Sequence, residues 1–122
     1  MNEMTPQQIL EVITRNTNEL VTLGKEITNA RIDLMQKEAA LYDAEYEARN
    51  DIFTGKEEVQ ASKIRDFIKW RSGIEQRILS QATHTLRNLM EQKAIKIEII
   101  NTSKVKLRVL EMEIKGLNYT QT

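Results

Sequence analysis

The residue types that most often catalyse reactions or hold metal ions are scarce in this sequence. His84 is the single histidine, and cysteine is absent. Zinc sites, nucleophilic cysteines and histidine-based triads each need at least one of these residues beside suitable partners. The sequence has no Glu-x-x-His pair for a di-iron bundle, and no GxGxxG or GxxxxGK(S/T) loop for a phosphate. We therefore interpret His84 as a surface or interface residue and predict a protein that is not an enzyme, with no catalytic residues, no cofactor and no metal ion.

Basic side chains offer a different chemistry, the binding of nucleic acid. The chain has no net charge, but residues 1–58 hold two thirds of its 18 acidic residues and only one third of its 18 basic residues. The C-terminal half is therefore basic. Lys104, Lys106, Arg108 and Lys115 are the candidate contacts, because clustered cations attract phosphates. The favoured alternative is a solvated surface on which the acidic half neutralises the basic half.

A long apolar repeat predicts the first helix, over about residues 6–52. Thr5 suits the N-cap, Pro6 suits the first helical position, and Gln8 completes a capping box. A seam then repeats at alternating spacings of four and three residues: Ile9, Ile13, Asn16, Leu20, Leu23, Ile27, Ala30, Leu34, Lys37, Leu41, Ala44 and Ala48. A repeat of this length predicts coiled-coil packing. A second stripe contains Ile32, Met35, Ala39, Tyr42 and Tyr46, and we interpret it as a wide core face rather than as a contact with a second neighbour.

Gly55 marks the only clear break, so we predict a turn over about residues 53–56 and a second helix over about residues 57–115. So short a connection makes the two helices antiparallel neighbours. The expected seam of the second helix continues the 4-3 spacing from residue 86: Leu86, Met90, Lys93, Ile97, Ile100, Lys104, Leu107, Glu111 and Ile114. Gly116 marks the expected end, and we predict that residues 116–122 form a frayed tail.

The stretch IKIEIINTSKVKLRV, residues 95–109, fits two structures. Alternating isoleucines and charges are typical of a β-hairpin, but no Gly or Pro supplies a tight turn and no other strand is visible for pairing. We favour a helix, because the seam passes through this stretch unbroken. In a helix, Ile95, Ile99, Val105 and Val109 lie off the main seam and need to be covered. We therefore predict self-association through the second helix.

These elements define the expected fold and one further candidate residue. The fold is all-α: a single domain, residues 1–122, forming a long antiparallel helical hairpin or coiled coil that self-associates as a dimer or larger helical bundle. Trp70 lies beside Phe67 and Arg71 near the bend. We favour the interpretation that Trp70 packs at the bend over the interpretation that it anchors a partner protein.

Three stretches of the sequence carry a resemblance to a known group of proteins: the run Glu38-Ala39-Ala40-Leu41-Tyr42-Asp43-Ala44-Glu45-Tyr46, then Ala82, Leu86-Arg87 and Leu89, and then Ile100-Asn101-Thr102-Ser103 with Leu107-Arg108. The resemblance is to a group of small uncharacterised proteins of tailed bacteriophages. It spans about residues 30–108. In that group, an Ala- and Tyr-bearing helix precedes a long Leu/Arg helix. The genes often lie in replication and recombination clusters, so the resemblance implies a phage accessory protein.

We therefore expect a non-enzymatic phage protein that acts through coiled-coil protein–protein contacts. The expected setting is phage DNA replication or recombination, or inhibition of a host nuclease or defence complex, with a host or phage protein as partner. The alternative is a nucleic-acid-binding accessory protein that uses the basic second helix. The N-terminus does not look like a signal peptide and no apolar run approaches ~18 residues, so we expect no membrane association and a location in the cytoplasm of the bacterial host.

Overall fold

The computed structural model describes residues 3–120, and helices dominate them. Helix α1 spans Pro6–Phe53, a short 3-10 helix spans Ala61–Lys63, α2 spans Ile64–Arg71, and α3 spans Gly73–Thr120. No strand occurs within these residues. The prediction of an all-α protein is therefore confirmed, and so is the helical interpretation of residues 95–109.

Helix α1 begins where the sequence predicts. The backbone N–H of Gln8 donates to Oγ1 of Thr5 at 3.2 Å, and the backbone N–H of Thr5 donates to Oε1 of Gln8 at 2.9 Å. This reciprocal capping box satisfies two amide groups that the first turn would otherwise leave unpaired. Pro6 follows the cap, where its missing N–H has no consequence.

The turn after α1 depends on one glycine. Gly55 has a φ of 81°, a conformation that residues with a Cβ adopt only at a cost. Oγ1 of Thr54 donates to the carbonyl of Asn50 at 2.8 Å, so Thr54 closes the last turn of α1 rather than capping the next helix. The helix expected from about residue 57 instead begins at Ile64, after the 3-10 helix.

The second helical segment is interrupted once. Ser72 separates α2 from α3 and is fully buried. Its Oγ donates to the carbonyl of Ile68 at 2.8 Å and accepts from Nε2 of Gln76 at 3.0 Å, which holds the two helix ends together. At the other end, α3 includes Gly116 and reaches Thr120, so the expected stop at Gly116 is not seen. Residues 121 and 122 of the expected tail lie outside the described residues.

The seam of α1 follows the sequence prediction at every position. Each of its twelve residues, from Ile9 to Ala48, is buried or half-buried. Two polar members are included: Asn16 is 4% exposed, and Lys37 is half-buried. A continuous 4-3 pattern of burial means that one face of α1 packs along its whole length.

The seam of α3 differs from the prediction at most of its positions. Leu86, Ile100 and Leu107 are covered as expected, but six predicted seam residues are exposed: Met90, Lys93, Ile97, Lys104, Glu111 and Ile114. At four of these positions the preceding residue is buried or half-buried instead: Leu89, Lys96, Ser103 and Leu110. This shift covers two leucines and brings Lys96 to Glu19, with which it forms an ion pair.

The chain divides into two compact units, and α1 and α3 contribute to both. Unit 1 comprises Met1–Glu26 and Leu89–Thr122, and unit 2 comprises Ile27–Asn88. In unit 1, the buried side chains come from both helices: Ile9, Asn16, Leu23, Ile100 and Ser103. In unit 2, small residues are buried on both helices, Ala48 on α1 and Ala82 on α3. The expectation of one helical-hairpin domain stays a prediction.

Candidate interaction surfaces

Large apolar side chains are exposed in unit 2, on the face of α1 away from its seam. Ile32, Met35, Tyr42 and Tyr46 are 50 to 68% exposed. We call this set the tyrosine stripe. With Ala39, its residues are spaced three and four apart, so they share one side of the helix. The interpretation of these residues as part of a wide core face is therefore wrong, because their side chains are exposed.

Acidic residues border the tyrosine stripe. Residues 38–47 include Glu38, Asp43, Glu45 and Glu47 and no basic residue. Glu45 pairs with Arg49 at 3.5 Å, whereas the other three form no ion pair with any described residue. The stripe is therefore apolar at its centre and negative at its edges.

The four predicted interface residues of α3 span an arc of about 120° around the helix, and along its axis they divide into the pair Ile95 and Ile99 and the pair Val105 and Val109. Val105 and Val109 are 58 and 48% exposed, and Ile95 is 55% exposed, whereas Ile99 is half-buried. Because Ile99 and Val105 are six residues apart, they point about 120° away from each other. The pair Val105 and Val109 continues to Met112, which is also exposed, and we call these three residues the valine stripe. Met112 continues the spacing of Val105 and Val109, so the sequence contains the signal for it. It was not predicted as an interface residue because it lies beyond residues 95–109.

Ile95 and Ile99 lie in a groove of unit 1. The groove has a volume of about 340 Å³, and it is also lined by Val12 of α1 and by Met4, which precedes that helix. Glu98 and Lys106 are among its lining residues. The predicted pair therefore borders the contact between α1 and α3 rather than a separate outer face.

Trp70 is the most exposed residue of the aromatic cluster on α2. It is 75% exposed, and its ring centroid lies 6.1 Å from that of the half-buried Phe67. The guanidinium carbon of Arg71 lies 5.5 Å from the centre of the Phe67 ring, and Nη2 of Arg71 contacts Oδ2 of Asp51 at 2.7 Å. Because Phe67 and Arg71 fix the local helix surface, Trp70 is presented outward rather than packed at the bend. The favoured packing interpretation of Trp70 is therefore not supported by its exposure.

The basic candidates on α3 do not form one stripe. All four are exposed. Lys104, Arg108 and Lys115 are spaced by four and seven residues and share a side of the helix, whereas Lys106 points about 160° away from Arg108. Glu111 lies between Arg108 and Lys115 on the shared side. A phosphate backbone that followed this side would meet three cations and one anion.

The remaining chemistry of the described residues is sparse. His84 is exposed and lies 3.4 Å from the amide nitrogen of Asn88 through its Nε2. Within residues 3–116, no three His, Asp or Glu side chains are grouped closely enough to hold a metal ion. None of the described helices combines the length and the apolar character that crossing a membrane requires.

Comparison with known proteins identifies no relative of this chain. No protein-family model, curated protein or solved structure matches this chain. The class that the structure itself defines is an all-helical protein with exposed apolar stripes. Its function must be argued from those surfaces.

Proposed function

We propose that this protein is a non-enzymatic helical protein that acts through protein–protein contacts, both with itself and with a foreign protein. The observation that carries the proposal is the exposure of large apolar side chains at helical spacing. Scattered apolar residues are normal on protein surfaces, but aligned ones mark interaction sites. Both stripes and Trp70 lie on helices whose other faces are already packed, so folding of the chain leaves them uncovered.

The proposed arrangement is a self-associating coiled coil in which the exposed faces of α1 and α3 meet other helices. Support comes from the 4-3 spacing of both the packed seam and the exposed stripes, since this spacing favours side-by-side helix packing. We propose that the setting is phage DNA replication or recombination, or inhibition of a host nuclease or defence complex, in the cytoplasm of the host. The resemblance to tailed-phage proteins supports this setting.

Trp70 is the proposed anchor for the foreign partner. Exposed tryptophans are enriched among the few residues that dominate binding energy, because one side chain buries a large area at little entropic cost. Trp70 stands on a short helix whose orientation is fixed by the Asp51–Arg71 contact of 2.7 Å. A partner protein would therefore meet an already ordered surface.

Affinity capture from phage-infected bacterial cells tests the foreign contact. The bait is the full chain, compared with its Trp70→Glu variant and with Lys69→Glu, a matched change at the neighbouring exposed residue. We expect a host or phage protein that is retained by the wild-type chain and by Lys69→Glu, and is depleted at least about tenfold on Trp70→Glu. A set of captured proteins that is the same on all three baits would refute the role of Trp70.

Nucleic-acid binding is the second candidate function, and one observation favours it. Lys104, Arg108 and Lys115 are exposed on one side of α3 and form no ion pair with any described residue. A salt titration of DNA binding tests this candidate, because each phosphate contact steepens the salt dependence. Salt-sensitive binding that is lost on combining Lys104→Glu with Arg108→Glu would support it, and absence of binding at low salt would exclude it.

A further inference from the structure

We infer that the tyrosine stripe of one copy packs against the valine stripe of a second copy. This inference rests on the proposed self-association and specifies its two matching surfaces. The tyrosine stripe belongs to unit 2 and the valine stripe to unit 1. Both are exposed in the single chain, so neither is already used by the fold.

The spacing of the two stripes is compatible with direct helix packing. On α1, residues 35, 39, 42 and 46 follow each other at spacings of four, three and four. On α3, residues 105, 109 and 112 continue with four and three. Side chains at these spacings interdigitate when two helices lie side by side. Tyrosines on one helix would then meet the smaller valines on the other, so large side chains face small ones.

The charges at the edges of the stripes are complementary. The tyrosine stripe is bordered by Glu38 on one side and Asp43 on the other, as their helical positions require. At the level of its valines, the valine stripe is bordered by Arg108 on one side and Lys106 on the other, whereas Glu111 and Glu113 flank Met112 further along the helix. None of the four residues Glu38, Asp43, Lys106 and Arg108 forms an ion pair with a described residue, so all four are available to a second copy. Two tyrosine stripes would instead bring acids together, and two valine stripes would bring Lys106 and Arg108 together, which disfavours both alternatives at these positions.

The area of the tyrosine stripe suits a modest contact. A large side chain presents roughly 150–250 Å² when free, so four side chains exposed by half or more present on the order of 500 Å². Stable pairs of proteins bury about 800 Å² on each partner. One contact would therefore be weak. Two copies that exchange both stripes form two contacts, and the smaller valine stripe then brings the area buried on each copy towards this value.

Each contact joins two different stripes rather than two identical ones. A pair that exchanges both stripes closes as a symmetric dimer, whereas a pair that uses one contact leaves a free stripe at each end. In either case, each contact joins the acidic edges of one copy to the basic edges of the other. Charge reversal can therefore separate this arrangement from an interface between identical stripes.

Two charge-reversed variants of the full chain test the inference. Variant A carries Glu38→Lys and Asp43→Lys, so both of its stripes have basic edges. Variant B carries Lys106→Glu and Arg108→Glu, so both of its stripes have acidic edges. Dissociation constants are measured by sedimentation equilibrium at about 0.1 M ionic strength, where exposed charges still interact over ~10 Å. Circular dichroism establishes that each variant keeps its helix content.

We expect each variant alone to associate at least about tenfold more weakly than the wild-type chain, because like charges meet across the contact. An equimolar mixture of A and B should recover association to within about threefold of wild type, since opposite charges then face each other at both contacts. A control that carries Glu11→Lys and Glu26→Lys has the same net charge as A. This control alone should associate as tightly as the wild type. Its mixture with B should associate more weakly than the mixture of A and B.

Three results would overturn the inference. The first is a variant A that associates as tightly as the wild type, which would leave self-association intact but place it elsewhere. The second is a mixture of A and B that remains as weak as either variant. The third is a wild-type chain that stays monomeric throughout, in which case the proposed self-association fails together with the inference.

Discussion

Replacement of Asn16 by leucine should stabilise the protein. Asn16 lies in the α1 seam of unit 1 and is 4% exposed. Its amide nitrogen donates to the carbonyl of Val12 at 2.8 Å, within its own helix. No described side chain of α3 forms a hydrogen bond with this amide. The asparagine therefore places a polar group in an apolar seam without linking the two helices.

The expected gain is about 1–3 kcal/mol in the free energy of unfolding. Burial of a leucine side chain contributes about 1.5–3 kcal/mol relative to an exposed one. The better helix propensity of leucine adds about a few tenths of a kcal/mol. Asn18→Leu is the matched control, because Asn18 is exposed on the same helix and shares only the propensity effect. Its expected change is within about 0.5 kcal/mol. Urea denaturation followed by circular dichroism gives both values.

A lower stability for Asn16→Leu than for the wild-type chain would refute this reasoning. Such a loss would mean that the Asn16 amide makes a contact that a leucine cannot replace, such as one with a second copy. Equal gains from both leucine substitutions would also contradict it, because the effect would then reflect helix propensity rather than burial.

Three further substitutions test the turn and two ion pairs. Gly55→Ala should destabilise the protein by about 1 kcal/mol in a thermal melt, because Gly55 has a φ of 81°. Arg71→Lys should lower the free energy of unfolding by roughly 1 kcal/mol, since lysine cannot reproduce the guanidinium contact with Asp51. Lys96→Met should raise the pKa of Glu19, as measured by NMR titration of its carboxyl carbon. The hydrogen bond from Lys96 lowers this pKa in the folded protein, so its stabilising effect is present at neutral pH and disappears as the pH falls through the folded-state value.

Each of these expectations has a contradicting result. An unchanged melting temperature for Gly55→Ala would mean that the turn adopts another conformation. For the arginine, Arg65→Lys is the control at an exposed position, and equal effects at both positions would remove the special role of Arg71. A Glu19 pKa that does not respond to Lys96→Met would contradict their pairing.

The packed face of α1 was predictable because its apolar residues recur without ambiguity. Every seam position from Ile9 to Ala48 was identified, including Asn16 and Lys37, since large apolar residues on both sides fix the phase. On α3, two phases compete, because isoleucines and leucines occupy adjacent positions. Met90 and Ile97 are more apolar than Lys96 and Ser103, so hydropathy selects the phase that the structure leaves exposed.

The interaction surfaces were less predictable, because they consist of the side chains that remain exposed after the helices have packed. The sequence showed the row from Ile32 to Tyr46, but only the completed seam shows that this row has no place in the core. The ion pair of Arg71 with Asp51 was missed for a related reason. The second helical segment begins at Ile64 instead of about residue 57, which shifts the register of every charge near the turn.

Sedimentation velocity of the full chain over a concentration series tests the central claim, that aligned apolar side chains on this protein serve protein–protein contacts. We predict a species that shifts from the 14.2 kDa monomer to a dimer or larger assembly between about 1 and 100 µM, the range expected for contacts of modest area. A single species of 14.2 kDa at every concentration would contradict the claim of self-association.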